Sequence, residues 1–507
     1  MATKPYFSKV LVANRGEIAI RIFRTCHEVG IGTVAVYSEA DRTAPHVTTA
    51  HHAYPIGQAP ARESYLVTER IIEAAQKSGA DAVHPGYGFL AENADFAQAV
   101  QDAGLVWIGP PPDSMRLLGD KTAARKVAVA HDVPIIPGTG QPVRTLKEAV
   151  GAGEEIGYPI LLKAAAGGGG KGMRVVENPQ ELESSLKMAR SEAVSAFSDE
   201  SVYIEKYLAH PRHVEFQVMA DSHGTCVWLG ERECSVQRRH QKIIEETPSP
   251  ALTPDMRGEM SEAAVRLTLA SGYQGAGTVE FLLEGDRFFF LEVNARLQVE
   301  HTVTEMVTGR DLVLDQLSIA AGQPLEYGHE DVQPRGSAIE ARIYAEDPDN
   351  NFFPSPGYIN HLDAPSGPGI RHDCGVAVGS EVTLHYDPLI AKLVAWSPDR
   401  TGAISRIRRA LEEYQITGVT TIVPFLREVM AHEAFQSGDY DTHIVSRIME
   451  EKESQVTQHA FIAAVATTLF HAQKSDGFAT GQANGSSRQG PASRWVLEGR
   501  ELRGWQK

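Results

Sequence analysis

The chain has 507 residues, 65 of them acidic and 48 basic, for a formal charge of −17; that excess argues against a nucleic-acid binder, and the length calls for two to four domains. Its 42% hydrophobic and 22% charged content is that of a soluble globular enzyme. Cys26, Cys226, Cys234 and Cys374 form no C-x-x-C and no stretch reaches membrane-spanning length, so a zinc site, a disulfide framework and a membrane are not expected and the cytoplasm is.

In chain order, KVLVAN reads as a buried parallel strand and GEIAIRIFRTCHEVG as an amphipathic helix ending at Gly30. TVAVYS and SYLVTERIIEAAQKSG repeat the pair, and ADAVHPG and LVWIGP give strands three and four around the helical NADFAQAVQDAG. This alternation predicts a doubly wound parallel sheet over about residues 1–115. No G-x-G-x-x-G accompanies it, so a dinucleotide site is not supported.

Over about residues 116–330 the rhythm changes to α+β. One lysine-bearing helix, SMRLLGDKTAARKVAVAH, precedes the strand PILLKAA, a glycine run and the strand MRVV. YIEKYL, HVEFQVMAD and the adjacent strands GTVEFLL and RFFFLEVN follow. A further α+β segment is expected over about 331–450, with SAIEARIYAED and PLIAKLVAW. From about 451 the helix HAFIAAVATTLFHAQ leads into a polar linker rich in Gly, Ser and Gln and a short tail.

Three clusters carry chemistry. The run from Lys163 through Gly169, Gly170 and Lys171 lets backbone N–H groups approach phosphate oxygens, with lysine charge beside them. It is not a P-loop, since Gly172 follows Lys171 where Ser or Thr should stand. The second cluster is the hairpin around Glu280 and Glu292. With a three-residue loop at Gly285–Arg287 the two carboxylates fall opposite each other, whereas a two-residue loop moves the pairing by one. Opposed carboxylates repel unless a cation lies between them, and Asn294 shares the face of Glu292, a set suited to Mg²⁺. Arg296, Gln298, Glu300 and His301 follow at once, with an arginine fork for a small planar anion and a carboxylate base. The third cluster, Arg238, Arg239, His240 and Lys242, suits a phosphate or anion; it lacks the interleaved aromatics of a nucleic-acid patch, and Glu245 and Glu246 follow it.

These clusters, with VLVANRGEIAIRI, HPGYGFLAEN, MRLLGDK, EKYLAHPRHVEFQV, ERECSVQRRHQK, LEVNARLQVEH and YDPLIAKL in that order, resemble biotin carboxylase of the ATP-grasp superfamily over about residues 7–445. The resemblance implies a Rossmann-like N-terminal domain, a central ATP-grasp fold with a lid over about 135–208, and a C-terminal α+β domain. It implies ATP contacts at Lys121, Lys163, Gly169, Gly170, His213, Gln237 and His240, with Glu205, Lys206, Tyr207 and Leu208 holding the adenine. Glu280, Glu292 and Asn294 match the ligands of Mg²⁺ or Mn²⁺; Lys242, Arg296 and Val299 match the bicarbonate site. Glu300 matches the base that deprotonates bicarbonate and Arg342 the group beside the biotin ureido ring, with His84 to Phe89 near the same cleft.

The implied reaction uses ATP to convert bicarbonate to carboxyphosphate, whose breakdown gives CO₂ for biotin. Ala165, Ala295 and Thr302 depart from the family's serine, proline or threonine, and proline, without removing a charge. The only string near a biotinyl-lysine motif, SLKMAR at Lys187, lies in a helical pattern, so a separate biotin carboxyl carrier protein, a carboxyltransferase and a homodimer are implied, with the acceptor chosen by the transferase. A carbamoyl-phosphate-type synthetase shares the carboxylates, but EARIYAED and HPGYGFLAEN favour biotin over ammonia. A non-catalytic scaffold would have lost some of Glu280, Glu292, Arg296, Glu300 and Arg342, and all are present.

Overall fold

The computed structural model describes residues 6–164, 173–197 and 201–454. The chain forms one compact unit over 1–448 and a second over 449–507, of which 449–454 are described and helical. The glycine run with Gly169 and Gly170, and the expected C-terminal helix, linker and tail, lie outside the described residues.

The N-terminal sheet comprises β1 (Lys9–Val12), β2 (Gly32–Ser38), β3 (His52–Gly57), β4 (Ala82–His84) and β5 (Val106–Trp107), ordered β3-β2-β1-β4-β5 with every pairing parallel. Helices α1 (Gly16–Glu28), α2 (Thr68–Ser78) and α3 (Ala94–Asp102) connect its strands. The strands β1, β2 and β4 are apolar on both faces, as helix-covered parallel strands must be. Sequence patterning misses β3, whose HAYPIG is half polar and contains Pro55; at a sheet edge proline breaks no essential ladder bond.

The single helix expected over 114–131 is two, α4 (Pro112–Gly119) and α5 (Lys121–Ala130). Asp120 between them is extended, and its carboxylate accepts from the backbone N–H of Thr122 at 2.8 Å and Ala123 at 2.9 Å. This N-cap starts α5 and places Lys121 at its first residue. Replacing Asp120 by Ala should cost about 1 kcal/mol, read as a lower urea midpoint at unchanged slope. An unmoved midpoint would show that the cap is dispensable.

A small antiparallel sheet follows, ordered β7-β6-β8, from β6 (Ile160–Ala164), β7 (Met173–Val176) and β8 (Val202–Lys206). It has its own core, in which Ile160, Leu162, Val176 and Ile204 pack on Leu182, Leu186 and Ala189 of α6 (Leu182–Phe197).

The third sheet has eight strands and is antiparallel throughout. It contains β9 (Arg212–Ala220), β10 (Cys226–Arg238), β11 (Gln241–Thr247), β12 (Gly275–Glu284), β13 (Arg287–Asn294), β14 (Ser337–Tyr344), β15 (Ile370–Cys374) and β16 (Leu389–Ser397). Their order is β13-β12-β9-β10-β11-β14-β16-β15. The strands of the C-terminal segment thus extend the central sheet through the β11–β14 pairing, where Glu245 faces Glu340. Phe216, Phe281, Phe288 and Phe290 fill one face, with Phe281 edge-on to Phe216 and Phe288 at centroid distances of 6.1 and 5.5 Å.

Arg232 of β10 is fully buried within this sheet. Its guanidinium donates to Glu215 Oε1 at 2.6 Å, Gln217 Oε1 at 2.8 Å, and the hydroxyls of Thr278 and Thr304, each at 3.0 Å. These bonds tie β10 to β9, β12 and α7 (His301–Thr308). Cys26, Cys226, Cys234 and Cys374 are all unpaired, and no helix among the described residues is long and apolar enough to cross a membrane.

Candidate active site

A cleft of about 1590 Å³ opens where the three sheets meet. The segment after β4 contributes Tyr87, Gly88 and Phe89 to its wall, the small sheet Lys163 and Glu205, the large sheet Glu280, Glu292 and Arg342, and the segment after β13 Arg296, Gln298 and Val299.

The carboxylate hairpin reaches its pairing by a different route from the expected three-residue loop. The turn is only two residues long, since Glu284 pairs with Arg287, and that register alone would not oppose the two carboxylates. A β-bulge between Glu280 and Phe281 corrects it: Phe281 faces Phe290, while Glu280 faces Glu292, leaving Leu291 as the extra residue. Phe288 and Phe290 lie in the core, yet so does Val293, so the inward positions change parity across Leu291. Glu292 and Asn294 therefore face the cleft instead of the core.

Glu280 is buried, with His213 Nε2 3.0 Å from its Oε2 and both Lys242 Nζ at 2.8 Å and Gln298 Nε2 at 3.0 Å donating to its Oε1. Burial would raise its carboxyl, but Lys242 and His213 outweigh burial and hold it well below the usual carboxylate range. Glu292 is more open, 3.3 Å from the exposed Lys121 ammonium, and Asn294 Oδ1 accepts from Arg296 Nη2 at 3.0 Å. Two carboxylates and an amide oxygen on adjacent strand positions form a hard-oxygen donor set that fits Mg²⁺ or Mn²⁺. Two further groups, His213–Glu215–Glu280 and Glu215–Cys234–Glu300, have ligand atoms within 4.8 Å of one another. In both, Lys242 already supplies the positive charge, bonded to Glu215 at 2.5 Å and to Glu280 and Glu300 at 2.8 Å.

Glu300 is completely buried at the N-cap of α7, between two cations. Its Oε1 accepts from Lys242 Nζ at 2.8 Å and its Oε2 from Arg342 Nη2 at 2.9 Å. Burial pushes its carboxyl up, but Lys242, Arg342 and Arg232 together drive it far below the ordinary value, so it is ionised. Lys242 is held well above its ordinary value, Glu215, Glu280 and Glu300 outweighing burial. Arg342 also donates through Nε to Glu245 Oε1 at 2.6 Å. Burial raises the Glu245 carboxyl, and neither Arg342 nor any other neighbour restores it.

The structure disperses the cationic run around 238–242. Arg239 and His240 form the turn between β10 and β11, with φ of 49° and 68°, a left-handed conformation that both side chains adopt at some cost. Arg238 pairs with Glu346 at 2.9 Å and Arg239 with Asn351 at 2.9 Å. Only Lys242 enters the buried array, while His240 stays exposed on the cleft rim and Gln237 lines the wall.

Lys163 and Arg125 both reach Glu205, Arg125 at 3.0 Å. Lys206 is turned out of the cleft, donating to the carbonyls of Gly157 at 2.9 Å and Tyr158 at 3.1 Å, and Leu208 packs on Ile136 and Phe289. The side chains of Lys206, Tyr207 and Leu208 do not line the cleft. Val299 does, and its carbonyl accepts from the buried Lys392 at 2.8 Å. Arg296 lies with Glu92 at 3.0 Å and Gln298 at 3.0 Å.

Sequence reading gave no site role to Glu215, Glu92, Arg232 and Glu245, which hold Lys242, Arg296 and Arg342 in place. A glutamate on a strand reads as a solvent-facing residue; the signal missed was HVEFQV, where Glu215 and Gln217 recur at the strand period on one face.

A cleft between a parallel N-terminal sheet and a large antiparallel sheet, with lysines above paired carboxylates, defines an ATP-grasp ligase. Family models for the biotin carboxylase N-terminal domain, the ATP-binding domain of the carbamoyl-phosphate synthase L chain, and the biotin carboxylase C-terminal domain match residues 6–115, 120–327 and 340–447. The chain is 50% identical over 440 residues to biotin carboxylase of Haemophilus influenzae, covering 87% of this chain and 98% of that one. It is 49% identical over 440 residues to the mitochondrial methylcrotonoyl-CoA carboxylase subunit alpha of Dictyostelium discoideum, covering 86% of this chain but 63% of that longer protein. Among solved structures, the biotin carboxylase domain dimer of Hydrogenobacter thermophilus 2-oxoglutarate carboxylase, with MgADP, ADP and bicarbonate, superposes with a TM-score of 0.80 at 46% identity, covering 87% and 97% of the two chains. The chain belongs to the biotin carboxylase family.

Proposed function

We propose that the chain carboxylates biotin borne on a carrier protein, using MgATP and bicarbonate, as the first half-reaction of a biotin-dependent carboxylase. The observation that carries this reading is the buried, ionised Glu300 bridged between Lys242 and Arg342 at 2.8 and 2.9 Å. Such a carboxylate stands unprotonated, as a base must, beside the place for a small anion at Lys242, Arg296 and Val299. Lys121, Lys163, His213, Gln237 and His240 surround the space for the triphosphate and nucleoside. Glu205 binds the nucleoside end, where Lys206, Tyr207 and Leu208 contribute backbone. Gly169 and Gly170 match phosphate-contacting glycines of the family.

A divalent cation held by Glu280, Glu292 and Asn294 would neutralise charge on the transferring phosphoryl group. Bicarbonate, deprotonated at Glu300, attacks the γ-phosphorus, giving carboxyphosphate and ADP. Carboxyphosphate then breaks down to CO₂ and phosphate, the phosphate takes the proton from the biotin N1′, Arg342 stabilises the resulting ureido oxyanion, and that nitrogen bonds to CO₂ to give carboxybiotin. A biotin carrier and a carboxyltransferase would be its partners; relatives named as subunits of carboxylases support a role within a larger assembly, and the dimeric neighbour supports a homodimer. Four unpaired cysteines suit a reducing compartment such as the cytoplasm.

The test is ADP release by the purified chain with MgATP and bicarbonate, with and without free biotin and then with a biotinylated carrier domain. Bicarbonate-dependent release stimulated by either form of biotin is expected. Indifference to both would mean a different ATP-grasp ligase.

A further inference from the structure

Thr302 is fully buried in the first turn of α7, two residues after Glu300, and its hydroxyl donates to Glu340 Oε2. Glu340 is fully buried on β14 and shares a face of that strand with Arg342, two residues on. Two side-chain connections therefore join the start of α7 to β14. One is the Glu300–Arg342 bridge at 2.9 Å, which reaches the cleft through Arg342 and whose members the proposed reaction uses. The other is Thr302–Glu340, whose members line no part of the cleft.

A bridge that must exchange partners with substrate cannot by itself fix the spacing of its two halves. The second connection can, because neither of its side chains is accessible to substrate. The Thr302 hydroxyl is the sole hydrogen bond to the Glu340 carboxyl among the described residues, and Glu340 Oε1 is buried without a partner. Around that carboxyl lie Lys392 of β16, Arg342 on the same strand, Glu245 opposite on β11 and Glu300 on α7. A hydroxyl donor serves the carboxyl whether ionised or protonated, since a protonated carboxyl keeps an acceptor oxygen.

We propose that Thr302 and Glu340 are a positioning pair, whose hydrogen bond ties α7 to β14 and so sets the separation of Glu300 from Arg342. Its kinetic arm rests on the biotin carboxylation reading; its structural arm does not.

Three variants of the full chain separate the bond from bulk and from charge. Thr302→Val keeps the branched shape and removes the hydroxyl, Thr302→Ser keeps the hydroxyl, and Glu340→Gln keeps an acceptor oxygen without the charge. Thr302→Val should lower biotin-dependent kcat by about tenfold or more, the scale of a sub-ångström misplacement, with KM for ATP unchanged. Thr302→Ser and Glu340→Gln should stay near wild type. In crystals, the Glu300 Oε2 to Arg342 Nη2 distance should lengthen in Thr302→Val and return to the wild-type value in Thr302→Ser. If Thr302→Val does not accumulate, Thr302→Ala replaces it in both measurements.

Wild-type kcat and an unchanged distance in the valine variant would overturn the proposal. So would equal loss in the valine and serine variants, or loss in Glu340→Gln with Thr302→Val intact. Should the wild type show no biotin-dependent turnover, the functional reading fails, and the crystallographic distances still decide the positioning pair.

Discussion

Replacing Glu300 by Gln is expected to reduce bicarbonate- and biotin-dependent ADP release by about two to four orders of magnitude, the range for loss of a positioned general base. Glutamine is nearly isosteric and still offers an oxygen to Lys242 or Arg342, so the cleft keeps its shape. It cannot take a proton, and it removes the one charge that Lys242 and Arg342 share. KM for ATP should change little, because Lys121, Lys163 and His240 lie elsewhere in the cleft. A variant retaining a substantial fraction of wild-type turnover would remove Glu300 from the chemistry.

The pH dependence carries a related expectation. The folded Glu300 carboxyl lies far below its ordinary value, because Lys242, Arg342 and Arg232 outweigh burial. A depressed carboxyl adds stability above its unfolded value of about 4.3 and loses it as pH falls through the folded value. Glu300 therefore stays ionised through the neutral and mildly acidic range, and an acid limb of activity near neutrality would belong to another group.

Arg232→Met is expected to be the most costly single change to stability, by about 3–5 kcal/mol, the range for removing one partner of a buried ion pair. Methionine fills much of the volume but leaves Glu215 Oε1, Gln217, Thr278 and Thr304 without the donor that joined them. Glu215 would keep Lys242 as its one close hydrogen-bonded cation among the described residues, drawing that ammonium away from Glu280 and Glu300. The measurement is a urea or thermal midpoint beside Arg62→Ala, whose pair with Glu63 is exposed and should cost at most about 0.5 kcal/mol. Equal shifts in the two variants would refute the role given to the buried array. Adding Glu215→Gln to Arg232→Met should recover part of the loss, since the unpaired charge goes with it.

The parallel sheet was legible because β1, β2 and β4 are buried on both faces and read as unbroken apolar runs. Its edge strand β3 was not, since an edge tolerates the polarity and proline that elsewhere mark a loop. The β10–β11 hairpin was read as a patch of cations because Arg239 and His240 occupy a turn whose usual signal is Asn-Gly. The structure lays Lys242, Glu280, Arg296 and Arg342 along one cleft, with Glu300 buried behind the wall and bonded to Lys242 and Arg342. The residues that restrain them were hidden for a common reason. Glu215, Glu245 and Arg232 are ionisable residue types yet fully enclosed, and a single sequence gives no sign that such a group has found its partner until the strands are laid side by side.

The bulge at Leu291 bears on how the cleft is encoded. Glu292 and Asn294 point toward the nucleotide space because one residue more stands on β13 than on β12 between two matched pairs. The polar face is thus written in a residue count as much as in residue identity. Point substitutions along Phe288–Phe290 can alter the core without rotating the carboxylates, while loss of Leu291 would exchange inside for outside beyond it with every side chain chemically intact. The turn at Gly285–Asp286 lies on the far side of that step, so the hairpin's tip and its carboxylates answer to separate constraints, one on sequence and the other on length.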